Sequence, residues 1–536
     1  MKVLVPEIAT HVQEGGEGRN QEILSVDVHP ELPVVVSAGA GENRVIFWKL
    51  NTDAKDGAEW LTFLAEMTAL TFENTVNIVR FSPCGRYLAC GDSNGLVSIL
   101  SLKEECKSWT DVQDERNMRR VHLRGHTMDV QDFAWSPNSK YCVSAAMDNF
   151  VIVWDALKCT EVQRLKEHTH YAQGVAWSPD GLFIASASFD ETVRINRVTY
   201  KNKKVVGCQE VAVLKKPKLF ADEFRAPTFS RRLTFSPEAW SGLLAVPGGL
   251  TTDPNLVQAA AETTKVENGA AKGGDEESEA KAEEKKSKSI AATSPATHMF
   301  RFVNNHLVST TPVATLSGFA QPSLAIRFHP LTFKPIQAEG VSGVNPWASF
   351  TSSSRLEEAR FVFAVATIDS VLIYDTQHPR PIAAVEKLHY ASYTDLAWSI
   401  SKDGSCALVA SSRDGCYSIL RFDKGELGET YERIAPAVQE QQETTDAKEE
   451  NVSCDVPHSP VQAEAQKTER RSPAVLDENS RSSQGTKKRR IQLESLGPTS
   501  SSSPSRSAAS ASSIVEKPVI NTLQPRRVKL ETIQPL

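Results

Sequence analysis

The chain has 536 residues, too many for one ordinary core, and its 60 lysines and arginines against 66 aspartates and glutamates leave a formal net charge of −6. That near balance excludes a surface given over wholly to nucleic acid, and no regular basic and aromatic interleaving points to one; no sequence-specific DNA contact is expected. The nine cysteines form no CxxC pair and no Cys/His cluster at zinc spacing, so they read as reduced core thiols of an intracellular protein without a metal site.

The first residues, MKVLVPEIATH, are broken by Pro6 and Glu7, which fits neither a secretory signal nor a membrane span. Lys2 to Ile8 alternates weakly ahead of His11, and we read it as an outer strand that the N-terminus supplies to close a ring of sheets. From Ile23 to Leu50 come short apolar runs punctuated by Val28-His29-Pro30 and Glu42-Asn43 and ending near Trp48. Asn74 to Leu102 repeats the plan with Phe81-Ser82-Pro83 and Asn94-Gly95, but Leu100 stands where a Trp is expected. Lys103 to Arg119 reads as a polar loop.

Leu123 to Leu157 is the fullest copy of this unit. Gly125-His126 opens it, Trp154-Asp155 closes it, and Ser136-Pro137-Asn138-Ser139 and Met147-Asp148-Asn149 are its turns, the pattern of a four-stranded propeller blade. Its inner strand predicts Val130, Asp132 and Ala134 on one face, with Gln131, Phe133 and Trp135 on the other. His126, Ser144, Asp148 and Trp154 could be taken for a catalytic Ser/His/Asp group. A buried hydrogen-bond chain that braces the blade accounts for them better, because buried polar groups must be paired. The same offsets recur in the next unit, Leu165 to Val198, as His168, Ser186 and Asp190, although that unit ends on Ile195-Asn196.

The fifth unit is split. Arg231 to Pro237 and Leu243 to Gly249 supply strands, residues 251–296 form an Ala/Glu/Lys-rich insertion, and the strand pattern resumes at Thr297 to Phe302. With almost no large apolar residue, the insertion cannot offset its ordering entropy and is expected to be a disordered loop. Leu324 to Asp375 makes the sixth unit and His389 to Phe422 the seventh. The expected architecture is therefore all-β: a seven-bladed propeller over 1–428 and a disordered tail over 429–536.

The tail holds two similar segments, Arg489-Arg490-Ile491-Gln492-Leu493-Glu494-Ser495-Leu496 and Arg526-Arg527-Val528-Lys529-Leu530-Glu531-Thr532-Ile533. In extended form Ile491 and Leu493, or Val528 and Leu530, share a face, with the arginine pair as charge-assisted donors at the entry. Such a segment suits addition as a strand to a partner's open sheet edge. Lys487-Lys488-Arg489-Arg490 also reads as a nuclear import signal. No phosphate-cradling loop, carboxylate pair with a supporting base, cofactor site or metal cluster is legible, so no catalytic residue is assigned.

Several stretches bear a closer resemblance. The N-terminal MKV and EI pattern, Asn77 to Pro83, Phe229 to Pro237, FVFAVATIDSVLIYDTQ from Phe361 to Gln377, and Asp414-Gly415-Cys416-Tyr417-Ser418 resemble the WD-repeat subunits of chromatin assembly factor 1, a family related to histone-regulatory WD-repeat co-repressors. The resemblance implies a nuclear subunit of a three-part histone chaperone that deposits H3-H4 on replicated or repaired DNA, with the large and small subunits as partners. It further implies that an Arg-Arg-Ile/Val tail motif docks on the anti-silencing-function chaperone; that role falls to Arg526, Arg527, Val528 and Leu530, or to Arg489, Arg490, Ile491 and Leu493. A substrate receptor for a cullin-type ubiquitin ligase and a replication-independent co-repressor are the alternatives.

Overall fold

A computed structural model describes residues 1–4, 21–39, 43–51, 60–67, 72, 74–113, 115–215, 230–237, 242–251, 294–303, 306–336, 359–378 and 380–431. Seven antiparallel sheets are present, each threaded so that its strands follow one another in the chain except at the closure. Blade one is Ile23–Val28, Val34–Gly39, Val45–Leu50 and Leu61–Met67, and blade two is Val76–Phe81, Tyr87–Asp92, Leu96–Leu102 and Met118–Arg124. Blade three is Val130–Trp135, Tyr141–Ala146, Val151–Asp155 and Thr160–Leu165, and blade four is Ala172–Trp177, Phe183–Ser188, Val193–Lys201 and Lys204–Leu214. Blade five is Thr234–Phe235, Leu243–Thr251, Ser294–Val303 and Ala314–Ser317, with His306–Leu307 against one end. Blade six is Ser323–Phe328, Val362–Thr367, Ser370–Asp375 and Ala383–Glu386; blade seven is Tyr393–Ile400, Cys406–Ser412 and Tyr417–Phe422, completed by Lys2–Leu4.

The ring closes as expected. Lys2, Val3 and Leu4 pair with Arg421, Leu420 and Ile419, so no blade is left without an outer strand. Successive inner strands touch around the circle, blade seven meeting blade one. The apolar core lies between blades as much as within them: Val34, Val36 and Phe47 of blade one pack with Val79, Leu88 and Leu100 of blade two, and Val143 and Val153 of blade three with Val175 and Ile184 of blade four. Both faces of the inner strands are buried, and this explains the near-continuous apolar runs in the sequence.

The structure departs from the sequence reading in six places. Lys103 to Arg119, read as a polar loop, sinks Cys106, Trp109 and Val112 into the core between blades one and two, and Glu429 to Tyr431, read as the start of a disordered tail, bond instead to the backbone of Thr332 and Lys334 and bridge Phe333. The repeat is offset from the blade by one strand: Met118–Arg124, assigned to the polar loop and to the start of the third unit, is the outer strand of blade two, and Leu165 ends blade three. In the inner strand of blade three the register shifts between Val130 and Asp132; Gln131 is the extra residue of a β-bulge, so Val130 joins Phe133 and Trp135 in one cluster rather than facing with Asp132 and Ala134. The ends of the fifth-blade insertion are strand: Thr251 pairs with Ser294, Leu250 with Pro295 and Gly249 with Ala296, because ladder pairing outruns the apolar pattern. Among the cysteines, Cys90, Cys106, Cys142 and Cys406 are buried, but Cys84 is exposed. Residues 252–293 and 432–536, His11 and Glu42 lie outside the described residues.

Candidate docking surface

In blade three the structure brings His126, Ser144, Asp148 and Trp154 together. Trp154 Nε1–H donates to Ser144 Oγ at 2.8 Å, His126 Nε2 lies 2.8 Å from the same oxygen, and His126 Nδ1 is 3.0 Å from Asp148. A carboxylate only accepts, so Nδ1 carries the proton, Nε2 accepts, and the hydroxyl proton of Ser144 points to it. Although burial raises the Asp148 carboxyl pKa, the His126 hydrogen bond and the Thr127 and Phe150 amides bring it below its ordinary value. The Ser144 hydroxyl is fully buried and engaged on both sides, so it cannot reach a substrate. A side chain at Gly125 would meet the Trp154 ring at 2.7 Å; only glycine lets the chain pass over the indole.

Blade four repeats His168 to Asp190 at 3.0 Å and to Ser186 at 2.8 Å. Asn196 stands in the Trp place, with neither side-chain polar atom bonded among the described residues. Sequence reasoning missed a third network, in blade seven: His389 contacts Asp414 at 2.9 Å and Ser418 at 3.1 Å, the serine coming from the third strand instead of the second. Blade two discards the His, Ser and Trp of the set, leaving only a polar Asn94 at the Asp place in the turn. By offset, Phe72, Cys90 and Leu100 take the His, Ser and Trp places, and all three are buried in one cluster, an apolar replacement of the kind that costs a fold little.

These networks hold the turns on one face of the ring in a common geometry. The residue after each histidine donates its amide to the turn aspartate: Thr127 to Asp148, Thr169 to Asp190 and Tyr390 to Asp414. Met128 and Tyr390, placed by these turns, are exposed to 44% and 93%. Apolar side chains presented on rigid turns are the raw material of a protein docking face.

The centre of the ring is charged and buried, and nothing in the repeat motif announced it. Six of the seven inner strands carry a register shift at the same place, at Leu24, Asn77, Gln131, Gln173, Leu324 and Thr394. Beyond the bulges, Asp395 accepts from Arg80 at 2.7 Å and Ser25 at 2.9 Å, and lies 3.5 Å from Arg232 and 3.4 Å from Arg327. Asp132 stands 3.5 Å from Arg232 and accepts the Val175 amide at 3.0 Å. Burial works against the charge on Asp395, but Arg232, Arg80 and Arg327 hold its carboxyl below the usual range, while burial pulls Arg232 down to about 10. Long-range partners from blades one to seven thus meet on the axis, fixing the ring at its hub.

A cavity of about 180 Å³ opens above this hub, lined by Leu24, Asn77, Gln131, Thr394 and the buried Arg232, with the Glu22 and Arg413 ion pair at its rim. It is large enough for one side chain of a partner. The tail residues predicted to bind partners, Arg489, Arg490, Ile491, Leu493, Arg526, Arg527, Val528 and Leu530, lie outside the described residues, as do Lys487 and Lys488. Among the described residues no three His, Cys, Asp or Glu side chains gather to hold a metal.

Comparison with known proteins follows the propeller. A family model described as the CAF1B/HIR1 beta-propeller domain matches residues 1–270 and 281–427. The chain is 28% identical over 449 residues to the B-type subunit of chromatin assembly factor 1 from Mus musculus, covering 80% of this chain and 68% of that one. It is 29% identical over 429 residues to the FAS2 homolog of chromatin assembly factor 1 from Oryza sativa, covering 77% and 72%, and 25% identical over 447 residues to protein HIR1 of Aspergillus oryzae, covering 80% and 36%. With the match extending across all seven blades and the closing strand, this chain belongs to the CAF1B/HIR1 β-propeller family.

Proposed function

We propose that this protein is a non-catalytic subunit of a nuclear chromatin assembly factor 1 complex, scaffolding the deposition of H3-H4 onto newly replicated or repaired DNA. The observation that carries the reading is the family match across the whole ring, with B-type subunits of chromatin assembly factor 1 among the relatives. In this reading the propeller holds the large subunit of the complex, and the small subunit and the histones are reached through it. The tail reaches the anti-silencing-function chaperone by adding Arg526 to Ile533, or Arg489 to Leu496, to that partner's sheet edge.

The test is calorimetric titration of the full-length chain with that chaperone. Arg526→Ala with Arg527→Ala removes two charge-assisted donors and is expected to weaken binding at least about tenfold, leaving thermal unfolding of the propeller unchanged. Unchanged affinity rejects this segment, and the same pair of changes at Arg489 and Arg490 then decides whether the other one serves. If neither pair alters binding, the tail is not the handover site.

A further inference from the structure

The outer strands of the blades are not equivalent. Those of blades one, three and four each break register partway along, and the blade-four edge is further capped where Gln163 bonds the amide and carbonyl of Cys208. The outer strands of blades five and six are only four residues long, and that of blade seven is described over three. Bulges, caps and shortness are the usual ways of blunting a sheet edge. Met118–Arg124 of blade two is neither bulged nor short: its seven residues pair with Leu96–Leu102 without a shift, and among the described residues it is last in its sheet.

This strand is also basic. Its sequence, MRRVHLR, contains no acidic residue, and Arg119, Arg120 and Arg124 are exposed, as is Val121 at 43%. Met118 and Leu123 are sunk in the core, which anchors both ends. Arg120 and Arg124 share one face of the sheet, Arg119 and Val121 the other. Arg119 meets Glu104 at 3.2 Å, but that glutamate is itself 85% exposed, and a partner can replace such a contact at little cost.

We infer that the outer edge of blade two is a docking site for an extended, acidic segment of a partner protein, which adds as a fifth strand. Its backbone pairs along Met118–Arg124, its carboxylates lie opposite Arg120 and Arg124 on one face, and β-branched residues cover Val121 on the other. Charge selects the occupant: a second copy of this edge would set arginine against arginine, which is repulsive, and a nucleic acid would use the charges but neither the backbone edge nor Val121.

The test uses the full-length protein and a fluorescent peptide of about twelve alternating Glu and Val residues, long enough to span the strand, followed by anisotropy. Saturable binding is expected, weakened about tenfold or more by Arg120→Glu with Arg124→Glu and equally by N-methylating four successive central residues of the peptide, which blocks both of its edges. The second arm uses the unaltered protein, so it stands even if the double variant folds poorly. The inference is overturned if the methylated peptide binds as well as the parent, if the folded double variant binds undiminished, or if a thymidine oligonucleotide of the same charge binds more tightly than the peptide.

Discussion

Asp395→Asn tests the hub. The substitution preserves size and removes one negative charge from a fully buried position with Arg80 at 2.7 Å, Arg327 at 3.4 Å and Arg232 at 3.5 Å. Asp132 is left to face both Arg80, at 3.8 Å, and Arg232, at 3.5 Å. Breaking a buried pair by removing one partner costs about 3–5 kcal/mol, because the remaining charge is uncompensated; with three guanidinium groups sharing the lost carboxylate, the upper half of that range is expected. The Asp395 carboxyl is depressed from an ordinary value of 3.8. Its contribution is therefore complete above that value and is lost only as pH falls through the lower, folded one. Urea unfolding at pH 7 and pH 5.5 should show the same deficit in the variant. A loss below about 1 kcal/mol, the worth of a surface pair, would mean the hub is solvated and does not lock the ring.

Two further predictions concern stability. His329 is pulled down to about 4 by burial, its Nδ1 accepting the Leu331 amide at 3.1 Å while its ring packs 4.9 Å from Trp398. Its folded value lies below the unfolded 6.5, so stability falls as pH drops from about 6.5 towards about 4, by about 2 kcal/mol at pH 5; His329→Asn should flatten that slope in urea melts, and parallel profiles would refute the assignment. Replacing 252–293 by a short turn should leave the thermal midpoint within about 2 °C, since that stretch of sequence has few large apolar residues to bury. A deletion that also takes Thr251 and Ser294 to Ala296 removes paired, buried strand ends and should lower it; equal midpoints would contradict the revised boundary.

The repeat made the architecture readable. Local signals such as Ser-Pro turns, Gly125-His126 and Trp154-Asp155 fix strands and turns within a short reach of chain, so seven blades and the His126 and His168 networks could be assigned from residue offsets. What the offsets could not carry was any feature created by closure. Asp395 meets Ser25 and Arg80 across 370 and 315 residues, and only the ring makes them neighbours. The bulge at Gln131 inverts a strict alternation by inserting one residue, an event that leaves no mark in the apolar pattern. Blade seven moved its serine to Ser418, on the opposite strand, so a search by offset passes over His389. The basic outer strand was hidden for a related reason: the repeat motif ends before the outer strand begins, and MRRVHLR is divided between the end of the polar loop at Arg119 and the start of the third unit at Leu123.

Whether this propeller serves as a passive subunit of a histone-deposition complex is decided by purifying the tagged, full-length protein from nuclei and quantifying what accompanies it by mass spectrometry. A large assembly-factor subunit should be recovered in near one-to-one amount, with H3-H4 present below it. Recovery of a cullin and its linker in that proportion, with histones at background, would contradict the proposed role.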